Sequence, residues 1–235
     1  MLVSAAVCPS PPLLVPAVAA GAAPELEGAR AACADALGVL AAARPDRLIV
    51  VGPVGEDGTR EYSRGAVGSF RGFGVDTSVV LGSQPEGTER LPVSLAVGAW
   101  LLERVRWTSA PVSGLGVGER LDAERCVRAG REIAAGPERV ALLVMGDGSA
   151  CRTVKAPGYL DKRAAGFDTA AARALAAADV AALKVLDVEL AYVLKAAGRA
   201  PWQVLAGAAE DAGLGGELLY EDAPYGVGYL VAAWS

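Results

Sequence analysis

The stretch that most constrains the fold is R-V-A-L-L-V-M at 139–145, which ends abruptly in Gly146-Asp147-Gly148-Ser149. An apolar run of this length is too short for a core helix. It also lacks the polar alternation of a half-exposed strand, so it reads as a strand buried on both faces. Two more runs share that character: Leu2 to Cys8, closed by C-P-S-P-P-L-L-V-P, and R-L-I-V-V-G at 47–52. Between them Leu26, Ala29, Cys33, Leu37 and Leu40 recur every three or four residues behind Pro24, which predicts an amphipathic helix over about 25–43. Strand, helix and strand make a βαβ unit, and its ends at Ser10 and at 52–55 lie on one side of the sheet.

The later pattern continues the theme. Residues 53–91 are glycine-rich and strand-like, with alternation at Val75, Thr77, Val79 and Leu81. A helix is predicted over 95–105, a strand over 107–112, a turn at G-L-G-V-G (114–118), and a helix over 121–135. After the 139–145 strand a long loop runs to Asp161, followed by helices at 167–183, 187–198 and 202–212 and strands at 216–221 and 227–234, joined by a hairpin turn. With 53% hydrophobic residues and a mean hydropathy of +0.35 there is ample material for a core. No repeat or linker divides the chain, so the expectation is one three-layer α/β domain over residues 1–235, with a central mixed, partly parallel sheet flanked by helices. In such sheets ligands sit beyond the carboxyl ends of the strands, which gathers the loops at 9–16, 53–58 and 146–161 around a cleft.

The chain has no histidine, which excludes Ser-His-Asp and Cys-His catalysis and every metal site that needs an imidazole. Its net charge is −5 and its 22 Lys and Arg are scattered, so neither a nucleic acid nor a membrane surface is an expected partner. Four cysteines without a C-x-x-C pair fit reduced thiols and a cytoplasmic location. Residues 1–24 are uncharged, but Pro9, Pro11, Pro12 and Pro16 forbid a continuous helix there. G-L-G-V-G lacks the spacing of a dinucleotide loop, and G-D-G-S-A-C-R fails the nucleophile-elbow pattern because position 151 is Cys. The four tryptophans fall in apolar patterns and read as core.

Five strings remain: C-P-S-P-P-L-L-V-P after the first strand, V-V-G-P-V-G after the second, G-D-G-S-A after the 139–145 strand, G-F-D opening the next helix, and V-E-L-A-Y-V-L-K-A-A-G near the C-terminus. In order and spacing, along nearly the whole chain, they resemble the LigB-type class III extradiol ring-cleavage dioxygenases, in a divergent, actinobacterial-like branch. The resemblance implies an Fe(II) held by two histidines and a carboxylate, with a third histidine as acid/base. Carried over position by position, it puts Ser10 and Val54 where the ligand histidines would be, Ala150 at the acid/base and Glu189 at the carboxylate. Iron is therefore not an expected cofactor, because one carboxylate cannot retain it.

The cleft itself is expected to persist, lined by Ser10, Pro12, Val54, Ser149, Ala150 and Tyr159, with Asp147, Lys155, Asp161, Glu189 and Tyr225 on its rim. Asp147 and Glu189 would be neighbouring like charges. Cys8, Asp147, Cys151 and Glu189 either converge on a zinc or iron ion, or are two core thiols and a turn cap. Arg152, Lys155 and Asp161 are equally readable as a solvated ion-pair surface. The function this predicts is a degenerate dioxygenase-like protein that binds a small aromatic or planar metabolite or acts as a scaffold. The alternatives are an enzyme of altered chemistry (hydrolase, lyase or isomerase) using Asp147, Lys155 and Glu189, or a subunit pairing with a second copy or a dioxygenase-like partner.

Overall fold

The computed structural model describes residues 1–55, 57–82, 84–85 and 88–235. In chain order its elements are β1 (Leu2–Cys8), α1 (Pro16–Ala19), α2 (Glu27–Ala42), β2 (Arg47–Val54), β3 (Thr59–Tyr62), β4 (Val67–Ser69), β5 (Ser78–Val80), α3 (Val93–Arg104), β6 (Val112–Gly118), α4 (Ala123–Ala134), β7 (Val140–Met145), α5 (Ala164–Ala176), α6 (Val180–Lys184), α7 (Val188–Val193), α8 (Arg199–Ala208), β8 (Gly216–Asp222) and β9 (Tyr229–Trp234). Seven strands form one sheet in the order β3-β6-β2-β7-β1-β9-β8, while β4 and β5 make a separate hairpin. The four central strands β6, β2, β7 and β1 are parallel. The edges close antiparallel, β3 on β6 at one side and β9 then β8 at the other.

The period of two along the buried strands sorts side chains into two cores. Ala5 and Val7 of β1 with Leu142 and Val144 of β7 face α4 to α8, and Trp202 and Trp234 fill that side. Ala6, Cys8, Leu143 and Met145 face α2, α3 and the β4–β5 hairpin. This is the three-layer α/β architecture with a mixed sheet that the strand pattern predicts. Strands β1 and β2 are not neighbours: β7 lies between them, and both pair with it in parallel, so their carboxyl ends still share one side.

Three expectations need correction. The G-L-G-V-G string is not a turn but most of β6, and the strand begins at Val112 rather than ending there. Its glycines leave room for Val54 and Tyr62, which a side chain at Gly116 would strike. The predicted 167–183 helix is two, broken where Ala178 takes φ +49. The predicted 187–198 helix stops at Val193, two residues before Lys195 at φ +54. Among the described residues no helix is long and apolar enough to cross a membrane.

Candidate functional site

The carboxyl ends of β1 and β7 meet at Asp147. Its Oδ1 accepts the Ser10 backbone N–H at 2.7 Å, and its carbonyl accepts from Gly198 N–H at 2.8 Å, joining β1, β7 and the start of α8. Asp147 is half-buried as a residue, and its carboxyl is closely surrounded by protein. Desolvation therefore pushes it up to about 7, against the lowering effect of the Ser10 N–H. Tyr229, buried at the start of β9, lies within reach of that charge, and burial, then Asp147, holds its phenol well above the usual range.

One turn further on, a second carboxylate organises the loop. Asp168 on α5 is 0% exposed and accepts three bonds: Ser149 N–H at 2.6 Å, Ser149 Oγ at 2.8 Å and Arg152 Nη1 at 3.0 Å. Two glycines are required by its approach. A Cβ at Gly148 would sit 2.8 Å from Asp168 Oδ1, and one at Gly228 would sit 2.6 Å from Oδ2. The same backbone is bonded across the turn, Gly148 N–H to the Gly228 carbonyl at 2.7 Å and Gly228 N–H to the Ser149 carbonyl at 2.9 Å. The 146–161 loop is thus fastened to the β8–β9 turn rather than left open.

Ser10, Val54, Ser149 and Ala150 are buried, Pro12 is half-buried, and Val54 packs onto β6. Ser149 is wholly enclosed with its hydroxyl on Asp168, so it is no nucleophile for an outside substrate. Ala150 bonds Leu194 through its N–H. Glu189 is not beside Asp147: it stands exposed in the first turn of α7, 3.6 Å from Arg120, and Asp147 is perturbed by burial rather than by a like charge. Lys155 is exposed and no contact joins it to Asp147 or Glu189 among the described residues. Cys8 and Cys151 lie on opposite sides of the sheet, so they cannot share a metal. Among the described residues no three His, Cys, Asp or Glu groups are placed to hold a metal ion.

Asp147 does not cap its own turn but bridges two strand ends. Arg152 is not surface solvation but the partner of buried Asp168, while Asp161 pairs with Arg163, which draws its carboxyl down to about 2. Tyr225 donates to Glu25 at 3.0 Å. The donor set does not fit Fe(II): the positions that the dioxygenase resemblance gives to imidazoles hold Ser10, whose amide is committed to Asp147, and Val54, an apolar side chain in packing contact.

Tyr159 is singular in a different way. Its backbone is left-handed, φ +62, and it is 65% exposed. Ala20, Arg44, Arg106, Ala178 and Lys195, the other non-glycine residues at positive φ, all closely follow helices. Tyr159 is held by its own N–H on the Ala156 carbonyl and by Gly158 N–H on that of Ala150. Because the left-handed basin costs a β-carbon about 1–2 kcal/mol, Tyr159→Gly should be the more stable of two truncations, by about 0.5–1 kcal/mol over Tyr159→Ala after the added unfolded-state freedom of glycine. Urea unfolding of both variants checks this, and a more stable alanine variant would remove the strain argument.

No protein-family model and no curated protein matches the chain. Among solved structures it is similar to the uncharacterized protein JW3007 from Escherichia coli K12, with a TM-score of 0.61 and 16% identity over 99% of each chain. At that identity the likeness shows a shared fold, from the first strand to the last.

Proposed function

We propose that this protein is a divergent, LigB-type dioxygenase-like chain that does not cleave rings, and that it uses the cleft around Asp147 to bind a small planar or aromatic metabolite. The observation that carries the reading is Asp147 itself. Its carboxyl, on a half-buried residue, is desolvated to about 7 and held by Ser10 N–H at the carboxyl end of the central strands, where open α/β sheets bind ligands. A carboxyl poised there accepts a hydrogen bond from a phenol or ring N–H when ionised and donates one when neutral. The four buried free thiols, Cys8, Cys33, Cys126 and Cys151, fit a reducing, cytoplasmic setting. No contact among Asp147, Lys155 and Glu189 supports the altered-chemistry alternative.

The test is a ligand-observed NMR screen of catechols, hydroxybenzoates and planar heteroaromatics, followed by titration of the hits. Saturable binding that Asp147→Asn weakens about tenfold, the scale of a hydrogen bond to a charged acceptor, is the expected result. Ligands that bind equally well to both proteins, or a screen without hits, would remove the proposal.

A further inference from the structure

The turn after Arg152 and the end of α7 lie side by side and share an unusual composition. Ala150 stitches them together, accepting Gly158 N–H through its carbonyl and donating its own N–H to the carbonyl of Leu194. On these two segments Val154, Tyr159 and Leu160 are 57%, 65% and 46% exposed, and Tyr192 and Val193 are 47% and 52% exposed. With Val185, six of the nine large apolar residues exposed among those described fall between 154 and 193, so the exposure is concentrated rather than scattered. The chain also has four lysines among its 22 basic residues beyond residue 150 and none before it; with Lys184 they are Lys155, Lys162 and Lys195. Lys184 is bonded to Glu210, whereas Lys155, Lys162 and Lys195 are exposed without an ion-pair partner among the described residues. The neighbouring Arg120, Arg152 and Arg163 are each neutralised, by Glu189, Asp168 and Asp161.

Three uncompensated lysines beside exposed Tyr, Leu and Val select one class of occupant. Protein interfaces are depleted in lysine and favour arginine, and a two-fold copy of this chain would bring the same cations face to face. An anionic bilayer attracts lysines near its surface, lets their stems lie along apolar groups, and accommodates tyrosine at the headgroup level. We propose that the 153–162 turn with the end of α7 is a peripheral docking surface for anionic lipid membranes, Tyr159 and Leu160 entering the interface and Lys155, Lys162 and Lys195 meeting the headgroups. The strained, hydrogen-bonded backbone at Tyr159 holds that ring outward in advance, which reduces the ordering cost of contact. Counting lysine with arginine along the whole chain hides this patch, which is why composition argues against a membrane surface. The inference is independent of the ligand reading at Asp147.

Vesicle sedimentation tests it with the full chain. Binding is expected to phosphatidylcholine vesicles containing about 30% phosphatidylserine, a surface that attracts each lysine by about a factor of five. It should be absent with phosphatidylcholine alone and should fall at high salt. Lys155→Glu, Lys162→Glu and Lys195→Glu should each weaken it about fivefold or more, Lys→Arg at the same positions should restore it, and Tyr159→Ser with Leu160→Ser should abolish it. Circular dichroism of each variant should match that of the wild type, because the substituted positions are exposed. In a Tyr159→Trp variant, brominated lipid should quench the new indole. No binding to either vesicle, binding indifferent to the lysines, or an unquenched indole would overturn the proposal. So would a glutamate-rich aliphatic peptide that binds where vesicles do not, because it would assign the surface to a protein.

Discussion

Replacing Asp168 by alanine should cost about 3–5 kcal/mol, the range for stripping one partner from a buried charged network. Asp168 is fully buried, and Ser149 N–H, Ser149 Oγ and Arg152 Nη1 all bond to it. Arg152 can swing into water because it is 30% exposed, but the Ser149 amide cannot and would remain unsatisfied. The loop fastened to the β8–β9 turn should loosen with it. A second substitution makes the assignment specific. Gly228→Ala alone drives a methyl into the carboxylate, so it should be strongly destabilising in the wild type and much milder in the Asp168→Ala background. Urea unfolding of the four proteins gives the coupling. Additive losses would mean that the glycine and the carboxylate do not face one another as described.

The second large effect is a pH dependence at Asp147. Its carboxyl rises from the ordinary 3.8 to about 7 in the fold. The native state then binds a proton that the unfolded chain has released, so this group's contribution to stability is complete below about 4 and is lost as pH rises through 7. A rise of that size corresponds to about 4 kcal/mol at the limit, and the surface that Asp147 retains reduces this to about 2 kcal/mol. Asp147→Asn keeps an acceptor for the Ser10 N–H and removes the buried charge. It should be about 2 kcal/mol more stable than wild type at pH 8, indistinguishable near pH 4, and nearly flat between. Unfolding free energies across that range check the slope. A destabilised asparagine variant at pH 8 would mean that the Ser10 bond to an ionised carboxylate outweighs the cost of burying the charge.

These two carboxylates also mark what a sequence discloses. The 139–145 strand, its Gly-Asp-Gly-Ser terminus and the alternation that fills two cores are local patterns, and they place Asp147 at the end of a central strand without any tertiary knowledge. Asp168 is harder to see because its partners lie 16 and 19 residues away. Its signal is present, though. It occupies the apolar stripe of α5 with Ala164, Phe167, Ala171, Ala172 and Leu175, where a charge has to be paired. The glycine-rich β6 misleads because strand propensity there yields to the space that Val54 and Tyr62 need. The helix breaks at Ala178 and Lys195 carry no glycine or proline to announce them. Glu189 is set beside Asp147 by resemblance alone, and the break after α7 and the Arg120 pair put it elsewhere.

At the carboxyl ends of β1, β2 and β7, the positions that the dioxygenase resemblance gives to histidine ligands hold Ser10 and Val54, and neither supplies an imidazole. The direct measurement is anaerobic calorimetric titration of the purified chain with Fe(II), followed by oxygen uptake with a panel of catechols. No saturable binding tighter than about millimolar and no ring-cleavage product are the expected results. One equivalent of Fe(II) retained through dialysis, with oxygen consumed and a ring-opened product formed, would contradict them.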